Sequence, residues 1–243
     1  MRITAILLGV LVLAACNKKP TQSDLEQFVA ENQGRTEDFL IACAAGNMEE
    51  FMGSTERPIS IFYYNVDGAS TASLYVKSEE GKKDDLCYYS KVNEAPEALF
   101  NGRMGRFTVS KYYTDKWVIV TYSTGFSYNV SDPILLRADS HPTVDISNKL
   151  AVMGDSLQPE FNWFADPVKG NVIYFSLISN AANDFVSGVY TEEKEWDFYD
   201  LSNVVLNVTP TMSPTLDAQD SYVYTNMGVG ENNWVRTFGT LSF

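Results

Sequence analysis

The sequence predicts an all-β chain in which a leader and a short helix precede two β-sandwich domains. Three observations predict it. Apolar residues make up 45% of the chain and aromatics 13%, with 14 Tyr and 14 Phe, a composition that fills packed cores and favours strands over helical bundles. Short apolar or alternating runs recur between clusters of Gly, Pro, Asn and Asp, with no helical periodicity between them. That is the pattern of antiparallel sandwiches rather than of a parallel sheet. A segment dense in turn residues, 141–157, divides the strands into two sets, and it reads as the connection between domains.

The chain opens with Met1-Arg2 and an apolar run over 3–13 that ends in Leu13-Ala14-Ala15-Cys16. A positive residue, a short apolar stretch and small residues in that order read as a secretory signal over 1–15. The run is shorter than the roughly 20 apolar residues of a bilayer span. The Leu-Ala-Ala-Cys quartet resembles the lipobox of bacterial lipoproteins, and an ordinary cleaved signal with a chance cysteine is the other reading. The resemblance implies cleavage before Cys16, a lipid on its sulfur and an acylated new amino terminus, each chain contributing about 0.8 kcal/mol per buried methylene to membrane anchoring. Asn17, in place of the aspartate that retains some lipoproteins in the inner membrane, implies the outer membrane on a face the sequence does not name.

Residues 16–36 form a polar tether and a helix. Ser23-Asp24-Leu25-Glu26 reads as a capping box, with Leu25, Phe28 and Val29 on one helix face and an end near Gly34. The first domain, 37–140, has strands at 59–64 and 72–76, joined across Asp67-Gly68 as a hairpin. Further strands fall at 106–109, 116–122 and 133–137, with a turn at Gly125. The whole is the size of one immunoglobulin unit. The second domain, 158–243, has strands at 160–163, 171–178, 185–190, 203–208, 222–229 and 234–243.

In the second domain Trp163 lies in an early strand, "EFNWF", and Leu216 stands six residues before Tyr222 in "PTLDAQDSYVY". This pattern resembles fibronectin type III domains, a relative of the immunoglobulin fold. It implies a buried Trp163, with Leu216 and the Tyr222 hydroxyl tying down a corner of the sandwich. Over a wider span "FLIACAAG", "FYYNVDGA", "LFNGRMGRF", "SDPILLR", "SGVYT" and "YDLSNVVLNVT" resemble two-domain lipoproteins of Bacteroidota. That resemblance implies a fold and a compartment, and it brings no catalytic residues.

Charge and motif spacing narrow the function. With 18 basic residues against 31 acidic ones, the chain carries a formal charge of −13, which repels phosphate backbones and excludes nucleic acid as a partner. No Cys-x-x-Cys, histidine cluster or calcium loop occurs, so neither a metal nor a cofactor is expected. Cys43 sits in an apolar run and reads as a small buried hydrophobe; whether it meets Cys87 is left open by the spacing.

Gly154-Asp155-Ser156-Leu157 resembles the nucleophile block of GDSL esterases, and it matches an O-glycosylation acceptor equally well. A nucleophilic serine needs a base, yet His141, the one histidine, lies upstream, so the block reads as a turn. Glu192, Glu193, Glu195, Asp197 and Asp200 offer carboxylate pairs for glycoside chemistry, but they crowd "TEEKEWDFYD", a hairpin connection followed by a polar strand whose charges read as a solvated face.

Trp196 within that run has two readings. Alternation puts it with Phe198 on an inward face. Alternatively, with Tyr199, it forms an aromatic surface that stacks on sugars or anchors a partner. Trp234, at the end of a loop, has the same two readings. The chain therefore reads as a lipid-anchored binding or assembly module without catalysis, either capturing a polysaccharide or docking as a scaffold on another envelope protein.

Overall fold

The computed structural model describes residues 22–46, 59–198, 200–210 and 214–243, so the leader and Cys16 lie outside the described residues. The chain is all-β apart from one α-helix and short 3-10 turns. Helix α1, Asp24–Glu31, begins with the capping box: Ser23 Oγ accepts the Glu26 N–H at 3.2 Å, and the Glu26 carboxylate accepts the Ser23 N–H at 3.0 Å. It stops before Gly34, because the Asn32 amide turns back to donate to Phe28 O at 2.8 Å and caps the helix.

The first unit contains β1 Thr36–Leu40, β2 Ala42–Gly46, β3 Ile59–Tyr64, β4 Ser73–Lys77, β5 Tyr89–Lys91, β6 Glu97–Leu99, β7 Met104–Val109, β8 Trp117–Ser123, β9 Ser127–Ser131 and β10 Ile134–Leu135. Sheet I runs β1-β9-β8-β4-β5, with β10 also on β8, and sheet II runs β2-β3-β7-β6. This is the immunoglobulin arrangement of two facing antiparallel sheets, with β1 added parallel to β9. Between β9 and β10, Asp132-Pro133 interrupts the ladder. There Ser131 Oγ accepts the Val120 N–H at 3.0 Å, supplying the acceptor that the interrupted ladder does not.

The second unit contains β11 Val144–Asp145, β12 Ala151–Asp155, β13 Gln158–Asn162, β14 Asn171–Asn180, β15 Phe185–Thr191, β16 Glu195–Asp197, β17 Val204–Asn207, β18 Tyr222–Gly230 and β19 Val235–Ser242. Sheet III runs β11-β19-β18-β14-β15-β17, and sheet IV runs β12-β13-β16. Three strands face a four-strand core, β19-β18-β14-β15, in a fibronectin type III-like sandwich. Trp163 is fully buried behind β13, Leu216 is buried, and Tyr222 opens β18 with its Oη accepting the Asp217 N–H at 2.9 Å.

Three sequence expectations meet a different arrangement. The strands at 59–64 and 72–76 do not form a hairpin: β3 pairs with β2 and β7 in sheet II, whereas β4 pairs with β5 and β8 in sheet I. The turn at Gly68 (φ 77) is real, but it carries the chain from one sheet to the other. A local turn signal is the same for a hairpin and for an arch between sheets. The connection after β15 likewise crosses from sheet III to sheet IV. The segment 141–157 is not a bare linker, since it holds β11, which lies parallel to β19, and β12, which pairs with β13.

The two units are stacked face to face. In β3, Ile59, Ile61 and Tyr63 point into the core between sheets I and II, while Phe62 and Tyr64 point to sheet III. In β14, Tyr174 and Ile178 face sheet IV, while Phe175 and Leu177 face sheet II. Successive strand residues point to opposite faces, so the runs "ISIFYY" and "IYFSLI" are apolar at every position but Ser60 and Ser176 because both faces are covered. The order is thus α1, sheet I, sheet II, sheet III, sheet IV. Leu25 of the helix packs on Tyr75, Tyr89 and Ile119 of the outer layer.

Polar ties lock the junction between the units. Tyr64 Oη donates to Val208 O at 3.0 Å, and Thr143 Oγ1 accepts the Gly46 N–H at 3.0 Å while donating to Val235 O at 2.8 Å. Trp234, from the turn between β18 and β19, inserts into the core of the first unit.

Candidate functional site

Trp196 and Trp234 are not surface platforms, which corrects the reading of them as ligand-binding aromatics. Trp196 is 1% exposed. In β16 the side chains alternate, Glu195 and Asp197 outward and Trp196 inward, where the indole stacks on Phe161 at 5.5 Å and meets Phe198 edge-on at 5.9 Å. Trp234 is 2% exposed, and its Nε1–H donates to His141 O at 2.7 Å. It is a staple between the units. Tyr199 lies outside the described residues, as does Cys16.

The catalytic lures dissolve in the same geometry. Gly154-Asp155-Ser156-Leu157 is the hairpin between β12 and β13: Asp155 pairs with Gln158, Gly154 takes φ 81, and the Asp155 carboxylate accepts the Leu157 N–H at 2.8 Å. The Asp155 carboxylate closes a turn, and the His141 ring lies against Ser140 Oγ. Glu192, Glu193, Glu195, Asp197 and Asp200 are all solvent-facing. Asp200 is held below the usual carboxylate range by Ser202, whose N–H it accepts at 2.8 Å. Among the described residues no three His, Cys, Asp or Glu side chains converge as metal ligands.

Cys43 and Cys87 are both thiols. Cys43 lies in β2 on the face toward sheet III, and burial pushes its thiol up to about 12.

Two surface features have the form of binding sites. A cleft of about 350 Å³ opens between sheets II and III, lined by Phe62, Phe100, Met227 and Phe238, with Arg106, Asn183 and Thr225 at its polar part. Its backbone is unusual at Phe100, which adopts φ 51 in the β6–β7 turn, a costly conformation for a bulky residue. Arg106 is paired with Glu97. The cleft can seat an apolar group, and it holds no free nucleophile or acid–base pair.

The other feature is β17, the terminal strand of sheet III, which pairs only with β15. Val205 is 60% exposed, Leu206 43%, and Leu201 just before the strand 49%. Between Asp200 and Asp217 the chain has no charged residue. Natural edge strands are usually guarded by charges, prolines or bulges against pairing with other chains. This one is interrupted by a bulge at Val205, where the pairing with β15 shifts register, but it has exposed branched side chains and no guarding charge. Sequence reasoning found the strand but not its exposure, and the signal was the missing charge in a chain where 20% of residues are charged.

No family model and no curated protein matches the chain. Among solved structures, the crystal structure of chicken CNTN1 FN1-FN3 domains matches at 12% identity, covering 86% of this chain and 67% of that one, with a TM-score of 0.30. The sandwich assignment therefore stands on the strand order of the four sheets.

Proposed function

We propose that this chain is a noncatalytic docking module of the cell envelope, held at the outer membrane by lipid on Cys16, and that an extended segment of a partner envelope protein adds to β17. The observation that carries this reading is the uncharged, apolar edge at Leu201, Val205 and Leu206. Strand addition draws affinity from main-chain hydrogen bonds and specificity from alternate side chains, and both are on offer there. The stacked sheets support the reading, because a rigid body presents an edge without an ordering cost. Polysaccharide capture through Trp196 and Trp234 loses its support, since both rings are spent in cores.

The test is a photo-crosslinking amino acid placed at Val205 in the full-length protein in intact cells, with one at Glu97 on the edge of sheet II as comparison. A discrete adduct from position 205, absent at 97 and absent when Leu206 is also changed to Lys, is the expected result. Adducts of equal yield at both positions, or none at 205, would overturn it.

A further inference from the structure

A second cleft, of about 320 Å³, lies beside sheet I, lined by Lys77, Ser78, Glu79, Gly81, Lys83, Asp115, Lys116 and Trp117. It is built by the loop joining β4 to β5 and by the turn that leads into β8. The loop is fixed: the Tyr89 hydroxyl donates to Lys83 O at 2.6 Å, and the Lys82 N–H donates to Asp85 Oδ2 at 2.7 Å. Gly81 takes φ 75 beneath the Tyr88 ring, where a Cβ would come within 2.3 Å of the ring carbons.

Three lysines line this space in a chain that carries −13 overall. Among the described residues, none of the three is ion-paired with a carboxylate, although 31 acidic residues are present. They are held instead by neutral groups. Lys77 is 6% exposed, and its Nζ donates to Ser78 O at 3.0 Å and to Glu80 O, 5.6 Å from the Tyr88 ring centroid. Lys83 Nζ stands 5.4 Å over the Trp117 ring, and Lys116 Nζ 4.4 Å over Tyr112. Burying an ammonium is costly unless its donors are met, and carbonyls and ring faces meet them without cancelling the charge.

The geometry points to a binding site for an acidic sugar, a hexuronate or a chain bearing one, with its carboxylate among Lys77, Lys83 and Lys116 and its hydroxyls on Glu79, Asp115 and Ser78. The charges choose this class. Three ammonium groups against two carboxylates leave the lining with one surplus positive charge, which suits a monoanion. A phosphate dianion would lie against Glu79 and Asp115 without enough cations to offset it. The same carboxylates are good acceptors for hydroxyls, and Trp117 supplies the aromatic wall that sugar rings pack on. The site is independent of docking at β17.

Trp117 makes the site readable. It is partly exposed, whereas Trp163, Trp196 and Trp234 are fully buried, so a neutral quencher such as acrylamide reports on Trp117. The experiment titrates the full-length protein with D-glucuronate, D-glucose and inorganic phosphate, following protection from acrylamide, with calorimetry as second readout. Glucuronate is expected to protect and to bind about tenfold more tightly than glucose, and Lys83→Gln or Lys116→Gln to remove about that factor. Both side chains reach solvent, so the variants fold. Equal binding of glucose and glucuronate, binding unchanged in both variants, tighter binding of phosphate, or no protection at all would each overturn the assignment.

Discussion

In sheets II and III the central strands β3 and β14 are covered on both faces, whereas sheet IV is wet outside and sheet I is only partly roofed by α1. Those strands are consequently apolar on both faces over 59–64 and 173–178 except at Ser60 and Ser176, while β16 of an outer sheet alternates. The difference teaches that the contact between the two sandwiches is a third core rather than an interface between beads. Interfaces between domains of one chain are usually polar and permissive of motion. Here Phe62, Phe175, Leu177, Met227 and Phe238 meet across it, with Arg106 at its open side.

The comparison breaks first at Leu177, which is fully buried against sheet II. Leu177→Ala should cost about 2–5 kcal/mol, as for a leucine truncated in a single core. Denaturant unfolding followed by tryptophan fluorescence and by far-UV circular dichroism should give one coincident transition. Two separated transitions would show that the units fold independently and that the inner layer is a mere contact.

Next comes alkaline stability. Burial pushes Cys43 up to about 12 and Tyr190 well above its ordinary value, and both lie in the layer between sheets II and III. Burial also raises Tyr63 and Tyr122, in the layer between sheets I and II, to about 12. The unfolded chain releases such protons near pH 9 for thiols and 10 for phenols, while the folded chain keeps them to about 12. The folded state therefore binds more protons in this window. Its stability is fully present below about pH 9 and is lost as pH rises toward 12. Melting temperature against pH should be level from 7 to 9 and fall above; a level profile to 11 would contradict the burial of these groups.

A smaller effect separates Trp234 from Trp196, two of the three buried tryptophans. Trp234 Nε1–H has a partner, His141 O, whereas Trp196 Nε1 is buried without one. Changing each to Phe removes similar volume, but only the first removes a hydrogen bond and strands a carbonyl. Trp234→Phe should cost about 1 kcal/mol more than Trp196→Phe. Equal losses in urea unfolding would mean that the tie across the junction adds no stability.

Much of this was legible in the chain because it is written locally. The Ser23 and Glu26 capping box, the Tyr222 corner and the alternation that turns Trp196 inward each depend on neighbours a few residues away. What was illegible depends on sheets that meet at long range. Asp67-Gly68 specifies a turn, but not whether the next strand lies beside β3 or across from it. Trp234, after a polar loop, reads like a surface ring because its pocket is made by β2 and residue 138 of the other unit. The lysine cleft was invisible for the same reason: Lys77, Lys83 and Lys116 are scattered among acidic residues and converge only when β4 lies against β8.

The least perturbing change sharpens the contrast between covered and uncovered apolar residues. Val205 and Leu177 are both branched residues on sheet III, but Val205 is 60% exposed, so little hydrophobic burial is lost by replacing it. Val205→Lys should shift unfolding by no more than about 0.5 kcal/mol. It also installs on β17 the charge that guarded edges carry. If β17 is where a partner strand adds, this variant keeps its fold and loses capture of the partner crosslinked at position 205, while Leu177→Ala loses stability and keeps capture wherever it remains folded. A Val205→Lys protein that still captures the partner would move the docking surface off this edge, and one that unfolds would mean that the edge is structural.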